Sequence, residues 1–156
     1  MTSLLLASVL WAMSFGLIKE TLAPYDSRWV AAARLGLAAL VFTPWLGRVG
    51  GVGERLRLAA LGAVQFGLMY VLYIASYGSL PGHAVALFTV VTPLYVMGME
   101  DVLARRFSRR GAAAALLAAA AGGWIVWRGL PGAEAWTGVM LLQGANLCFA
   151  AGHVAY

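Results

Sequence analysis

The sequence has 156 residues, of which 62% are hydrophobic before its 19 glycines are counted and 11% are charged; soluble domains hold roughly 45–50% apolar residues with glycine included and about 25% charged ones. That balance excludes a soluble enzyme, a disordered chain and a nucleic-acid-binding domain, although eleven Lys and Arg against six Asp and Glu leave a net charge of +5. One cysteine, Cys148, excludes an internal disulfide framework and a Cys-rich metal site.

Crossing roughly 30 Å of hydrocarbon takes about 20 mostly apolar helical residues, and six stretches of the chain qualify. The first, about Ser3 to Ile18, is short, but no basic region precedes it as a signal peptide requires, so an uncleaved helix is expected. Its Ser8, Trp11, Phe15 and Lys19 recur at a period of 3.6, with Ser14 beside them. The second runs from Trp29 to Leu46. Within it Arg34 is placed to snorkel to the surface, to pair with Glu20 or Asp26, or to hold a substrate anion. The third, Leu58 to Tyr77, brings Gln65, Met69, Tyr73 and Ser76 to one face, and Tyr70 and Tyr77 widen that sector to about 140° at 100° per residue.

The turn Gly78-Ser79-Leu80-Pro81-Gly82 leads into the fourth stretch, His83 to Glu100. Pro93 cannot donate to the carbonyl of Thr89, and its ring disfavours helical geometry at Thr92, so a kink with a freed carbonyl is expected there. The hydroxyls of Thr89 and Thr92 are at hand to satisfy it. Such a kink serves either as fixed packing or as a gating hinge. The fifth stretch, Gly111 to Trp127, is rich in alanine and glycine, lets backbones approach closely and carries no candidate chemistry. On the sixth, Trp136 to Tyr156, Asn146 and His153 are seven apart and nearly superimposed, with Gln143 one turn away.

Orientation follows from the basic residues of short loops. Arg48, Arg55 and Arg57 follow the second stretch and Arg105, Arg106, Arg109 and Arg110 the fourth, seven in all, against Lys19, Arg28 and Arg128 on the opposite side. The heavier side is expected to be cytoplasmic, which puts the N-terminus and Tyr156 inside. Trp29, Trp45, Trp127 and Trp136 fall at span ends, where amphipathic rings favour the headgroup layer.

Three polar and aromatic stripes among six helices suggest a shared cavity, although any one such residue more often just bonds a neighbouring helix. Aromatic rings with a few amides suit an organic solute better than a bare ion, and the spans carry no carboxylate at mid-depth for a hard cation. His153 titrates near neutrality and is the leading candidate for a proton site, against the commoner role of a packing histidine. Ser79 and His83 are close in sequence but lack a Gly-x-Ser-x-Gly elbow, and no His-Glu-x-x-His or phosphate-binding loop occurs, so neither an enzyme nor a cofactor is expected.

The strings WAMSFGLIK, RWVAAARLGLAAL and YIASYGSLPGHAVALFTVVTPLYV, continued by MEDVLARRFSRRGAAAALLAAAAGGWIVWRG, resemble the EamA family of the drug/metabolite transporter superfamily over essentially the whole chain. The resemblance implies an all-α integral membrane fold, half of a ten-helix inverted-repeat transporter with both termini cytoplasmic, in a bacterial inner membrane. Residues 1–130 would form the first five-helix repeat and residues 131–156 the first helix of a second. Trp11-Ala12-Met13-Ser14 and Phe149-Ala150-Ala151-Gly152, at an offset of 138, hint at that repeat, and an odd number of helices per unit inverts the second copy.

The resemblance further implies a cavity lined by helices one, three, four and six. It carries over to Trp11, Ser14, Phe15, Gln65, Tyr70, Tyr73, Thr89, Thr92, Asn146 and His153 as substrate-binding positions, with Pro93 in a gate. The expected activity is secondary transport by alternating access, with export of small organic solutes such as amino acids, amines or drugs. The expected surroundings are the lipid bilayer and a second copy or a missing C-terminal half, with no nucleic acid. The alternative is a small membrane scaffold or a self-assembling multidrug exporter.

Overall fold

A computed structural model of the chain describes residues 5–6, 9–10, 13, 17–22, 24–48, 50–127 and 132–156. Among them the secondary structure is helical, without strands. Residues 5, 6, 9, 10, 13 and 17 are helical, and the π turn Ile18–Leu22 is α1. Asp26 caps α2, Ser27–Phe42, its carboxylate accepting from the Arg28 amide at 2.8 Å. Pro44 has no amide to give to Leu40, and the chain tightens into the 3-10 turn Thr43–Arg48. At 1.5 Å and 2.0 Å per residue the two pieces span about 36 Å, enough to cross a bilayer.

The third helix, α3, runs Val52–Ser76, 25 residues with a π turn at Ala63–Leu68. It begins before the expected Leu58, so Glu54, Arg55 and Arg57 sit on helical turns and not in a free loop. After the tight turn, α4 covers Gly82–Leu103 and is interrupted between Thr89 and Thr92. Then come α5, Arg109–Trp127, and α6, Gly132–Ala155. Among the described residues α3, α4 and Glu134–Ala155 of α6 are the helices both long and apolar enough to span by themselves.

The last helix is the hub. It packs against α3 and α4, and it runs antiparallel to α3: Gly138 meets Leu80, Gly144 meets Leu72, Phe149 meets Phe66 edge-on and Gly152 meets Gln65. Glycine is required at two of these contacts. A Cβ on Gly138 would lie 2.7 Å from Leu80 Cγ, and one on Gly152 would lie 2.3 Å from Gln65 Cβ. In membranes such small residues let helices pack closely where no hydrophobic effect drives them together.

The buried cluster lies toward the end of the bundle that holds the Gly78–Gly82 turn, built from Tyr73, Ile74, Tyr77, Leu80, Val85, Phe88, Val139 and Leu142. Elsewhere the molecule is apolar and exposed, with Leu37, Leu40 and Val41 on α2 and Leu116 and Leu117 on α5 each more than 60% accessible. A surface of this kind is untenable in water and natural against lipid. Trp29, Trp45 and Trp136 also point outward at helix ends, where interfacial rings belong. The alanine-rich α5 was expected to be a closely packed helix; here it lies at the rim against α4, with Met97 over Gly111.

Candidate functional site

Pro93 dictates the first polar constellation. Without an amide at 93 the carbonyl of Thr89 loses its helical partner, and the chain answers by tightening: Val90 and Val91 donate to the carbonyls of Leu87 and Phe88 three residues back, at 3.2 and 3.3 Å. Val91 keeps right-handed helical dihedrals, and helix resumes at Thr92, the residue expected to leave it. The break therefore precedes the proline by two residues. Side chains supply a donor to Thr89 O and a second one to Phe88 O. Thr92 Oγ1 lies 2.7 Å from Thr89 O and 3.0 Å from Asn146 Oδ1; its single proton serves one of them at a time. Asn146 Nδ2 donates to Phe88 O at 3.1 Å, and Thr89 Oγ1 donates back to Val85 O at 2.7 Å.

On the same face Tyr95 donates its hydroxyl proton to Gln143 Oε1 at 2.9 Å, and Asn146 Nδ2 lies 3.4 Å from that same oxygen. Thr89, Thr92, Tyr95, Gln143 and Asn146 thus form one neutral network that ties α6 to the interruption of α4. Asn146 is buried, and the other four are half-buried. Tyr95 is a member that sequence periodicity passed over, although its place one turn after Thr92 was the available signal.

The second constellation lies on α3. Tyr70, Tyr73 and Tyr77 form an edge-to-face ladder with centroids 6.3 and 5.3 Å apart, and the Tyr73 and Tyr77 hydroxyls are 2.8 Å from each other. A cation meets the ladder at each end. Lys19 Nζ donates to the main-chain carbonyl of Tyr77, at the carbonyl-rich end of α3, where a positive charge is favoured. Arg34 lies with its guanidinium carbon 4.9 Å from the Tyr70 ring centroid and Nη2 3.4 Å from the hydroxyl. The pairing of Arg34 with Glu20 or Asp26, one of the roles left open by the sequence, is not made: Asp26 is turned back to cap α2.

Of the expected substrate positions, Thr89, Thr92 and Asn146 are brought together in the first constellation, and Tyr70 and Tyr73 in the second. Gln65 does not join Tyr73; its stem packs under Gly152 of α6. His153 is exposed, its ring stacked on Phe149 at 6.3 Å and 9°. Pro93 is exposed at the start of the second half of α4. Trp11, Ser14 and Phe15 lie outside the described residues. A shallow apolar groove of about 470 Å³ on the α3–α6 surface is lined by Leu72, Trp136, Thr137, Met140, Leu141 and Gly144 and includes none of the expected positions. No His, Cys, Asp and Glu cluster able to hold a metal occurs among the described residues.

Comparison with known proteins agrees with an all-helical membrane chain of this design. Residues 1–128 match the model of the EamA-like transporter family. The chain is 39% identical over 158 residues to the biotin transporter of Escherichia coli (strain K12), covering 100% of this chain and 53% of that protein. It is 40% identical over 158 residues to the biotin transporter of Salmonella typhimurium, again 100% of this chain and 53% of the other. It is 45% identical over 159 residues to the probable biotin transporter of Pseudomonas aeruginosa, 100% against 55%. The chain thus spans about half the length of the curated relatives it matches. No solved structure matches it. Both the family and these relatives point to transport and not to catalysis. With more than three quarters of its length inside the family match, the chain belongs to the EamA-like transporter family of the drug/metabolite transporter superfamily.

Proposed function

We propose that this chain supplies about half of a secondary transporter that moves biotin, or a compact organic acid of similar shape, across a bacterial inner membrane by alternating access. The observation that carries the proposal is the 39–45% identity to proteins named biotin transporter, which extends over the whole of this chain. Those names speak of biotin rather than amino acids, amines or drugs, and they give no direction of movement.

The geometry supports the reading. Biotin combines an apolar body with a cyclic urea and a carboxylate. The amides of Asn146 and Gln143 and the hydroxyls of Thr92 and Tyr95 are neutral donors and acceptors suited to a urea. Because Thr92 and Asn146 already bond carbonyls at the interruption of α4, a solute that competes for them also loosens the interruption, which is how binding would reach a gate at Pro93. Residues 1–130 would be the first repeat, a division supported by the end of the family match at residue 128. Residues 131–156 would open the second, completed by another copy or by a C-terminal half. The arginine-bearing ends of α2, α3, α4 and α5 would face the cytoplasm.

The test is uptake of labelled biotin into vesicles that hold this chain together with the C-terminal half of the Escherichia coli relative. Accumulation that excess unlabelled biotin suppresses, and that excess amino acid leaves alone, is the expected result. Movement of amino acids or cationic dyes without movement of biotin would sink the substrate assignment.

A further inference from the structure

Arg34 is in an expensive place. It is the eighth residue of α2, so at 1.5 Å per residue its Cα is about 10 Å from the helix start. Tyr70, its partner, lies seven residues before Tyr77, the residue that caps the end of α3, at about the same depth. A charge in that layer normally has a carboxylate partner or lines a wet path. Within this chain the first condition is not met. Among the described residues no carboxylate lies within ion-pair distance of Arg34, and each of the chain's six acidic residues is described. What the guanidinium does have is a ring beneath it and one long hydrogen bond, to the Tyr70 hydroxyl. Most of its five N–H donors stay available, and the side chain is exposed.

The surroundings hold this cation in place without neutralising it. Tyr70 stacks edge-on to Tyr73, and Tyr73 to Tyr77. Tyr73 and Tyr77 are buried in the core and share a hydroxyl hydrogen bond, so the platform under Arg34 is rigid. Of the other cations at this end, Arg28 sits at the start of α2 and Lys19 is engaged with the carbonyl of Tyr77. A fixed guanidinium with a free edge, an aromatic wall beside it and no internal counter-charge is the arrangement that binds a carboxylate, by two parallel N–H···O bonds.

We propose that Arg34, seated on Tyr70, is the carboxylate-binding group of the solute path and selects organic monoacids over their neutral or cationic counterparts. This rests on the transport reading above and extends it from a solute name to a recognition chemistry. A lipid phosphate offers a similar anion at this depth, so the decisive comparison is between soluble ligands that differ only in charge.

The experiment uses the chain together with the C-terminal half of the Escherichia coli relative in phosphatidylcholine nanodiscs, with biotin, lipoate and benzoate as probes and the primary amide of each as the uncharged control. Equilibrium binding is read by scintillation proximity. Each acid that binds is expected to bind more tightly than its amide. Arg34→Gln is expected to weaken the acid at least about tenfold, the loss of one charge-assisted hydrogen bond or more, and to leave the amide unchanged. Arg34→Lys is expected to recover part of the preference, because it keeps the charge and loses the fork. A purely structural arginine would weaken acid and amide together. An arginine engaged with lipid phosphate would leave both as in the parent. Either result overturns the proposal, as does failure of the parent chain to prefer any of the acids. Arg34-dependent binding of lipoate or benzoate without biotin would support Arg34 as the carboxylate group and remove biotin as the substrate.

Discussion

Asn146 does the most work for a single side chain. Its amide nitrogen donates to Phe88 O, its oxygen faces the Thr92 hydroxyl, and both contacts cross from α6 to the interruption of α4. Asn146→Leu fills similar space and removes both, leaving Phe88 O with the Val91 amide alone. The expected loss is about 0.6 to 1.7 kcal/mol, the range for hydrogen bonds between membrane helices, measured by denaturant titration in micelles; an unchanged midpoint would mean that the network does not hold the break. Pro93→Ala acts in the opposite sense. An amide at 93 is free to donate to Thr89 O, which displaces the Thr92 hydroxyl and restores a continuous ladder. Amide hydrogen exchange at residues 90–92 and 94 is expected to slow, and equal exchange in both proteins would contradict a proline-made interruption. The sequence disclosed that a break would occur and that threonines were near. It did not disclose Asn146 as the partner, because periodicity places a residue on a face and says nothing about which carbonyl that face meets.

At the scale of elements, the α3–α6 pair sets the geometry. Gly138 and Gly152 sit where a Cβ would run into Leu80 and Gln65. Gly152→Leu is expected to cost about 1 to 3 kcal/mol of stability by overpacking, while the same change at Gly36, which has open space around it, should cost much less; comparable losses in a thermal-shift series would argue against close packing at 152. The stripe expected on α3 was extrapolated at 100° per residue from Gln65 to Ser76. The π turn Ala63–Leu68 intervenes, and a wider turn resets the angular count. Gln65 therefore faces Gly152, Tyr70 faces Arg34 and Tyr73 faces the core. Local sequence carried the residue types of that stripe but not the turn that divides it.

For the whole molecule, the two ends differ in kind. One holds the tight turn, the tyrosine ladder and the buried cluster; the other holds Arg48, Arg55, Arg57 and the arginines from Arg105 to Arg110. The charge asymmetry predicts that the second end faces the cytoplasm. Single cysteines at Gly51 and Ser79 in a Cys148→Ser background provide the check: in intact cells an impermeant maleimide should label position 79 and spare position 51, and the reverse pattern would invert the orientation. The sequence by itself determined that this is a chain of apolar helices in a membrane and that α4 would be broken near Pro93, because hydropathy and proline chemistry act locally along the chain; its motif strings carried the family. Only the tertiary structure decided that α6 is the hub, that Asn146 closes the gap in α4 and that Arg34 rests on a tyrosine instead of an acid. Those outcomes depend on how far each helix turns and slides against its neighbours, and rotation and register are properties of pairs of helices that no single segment encodes.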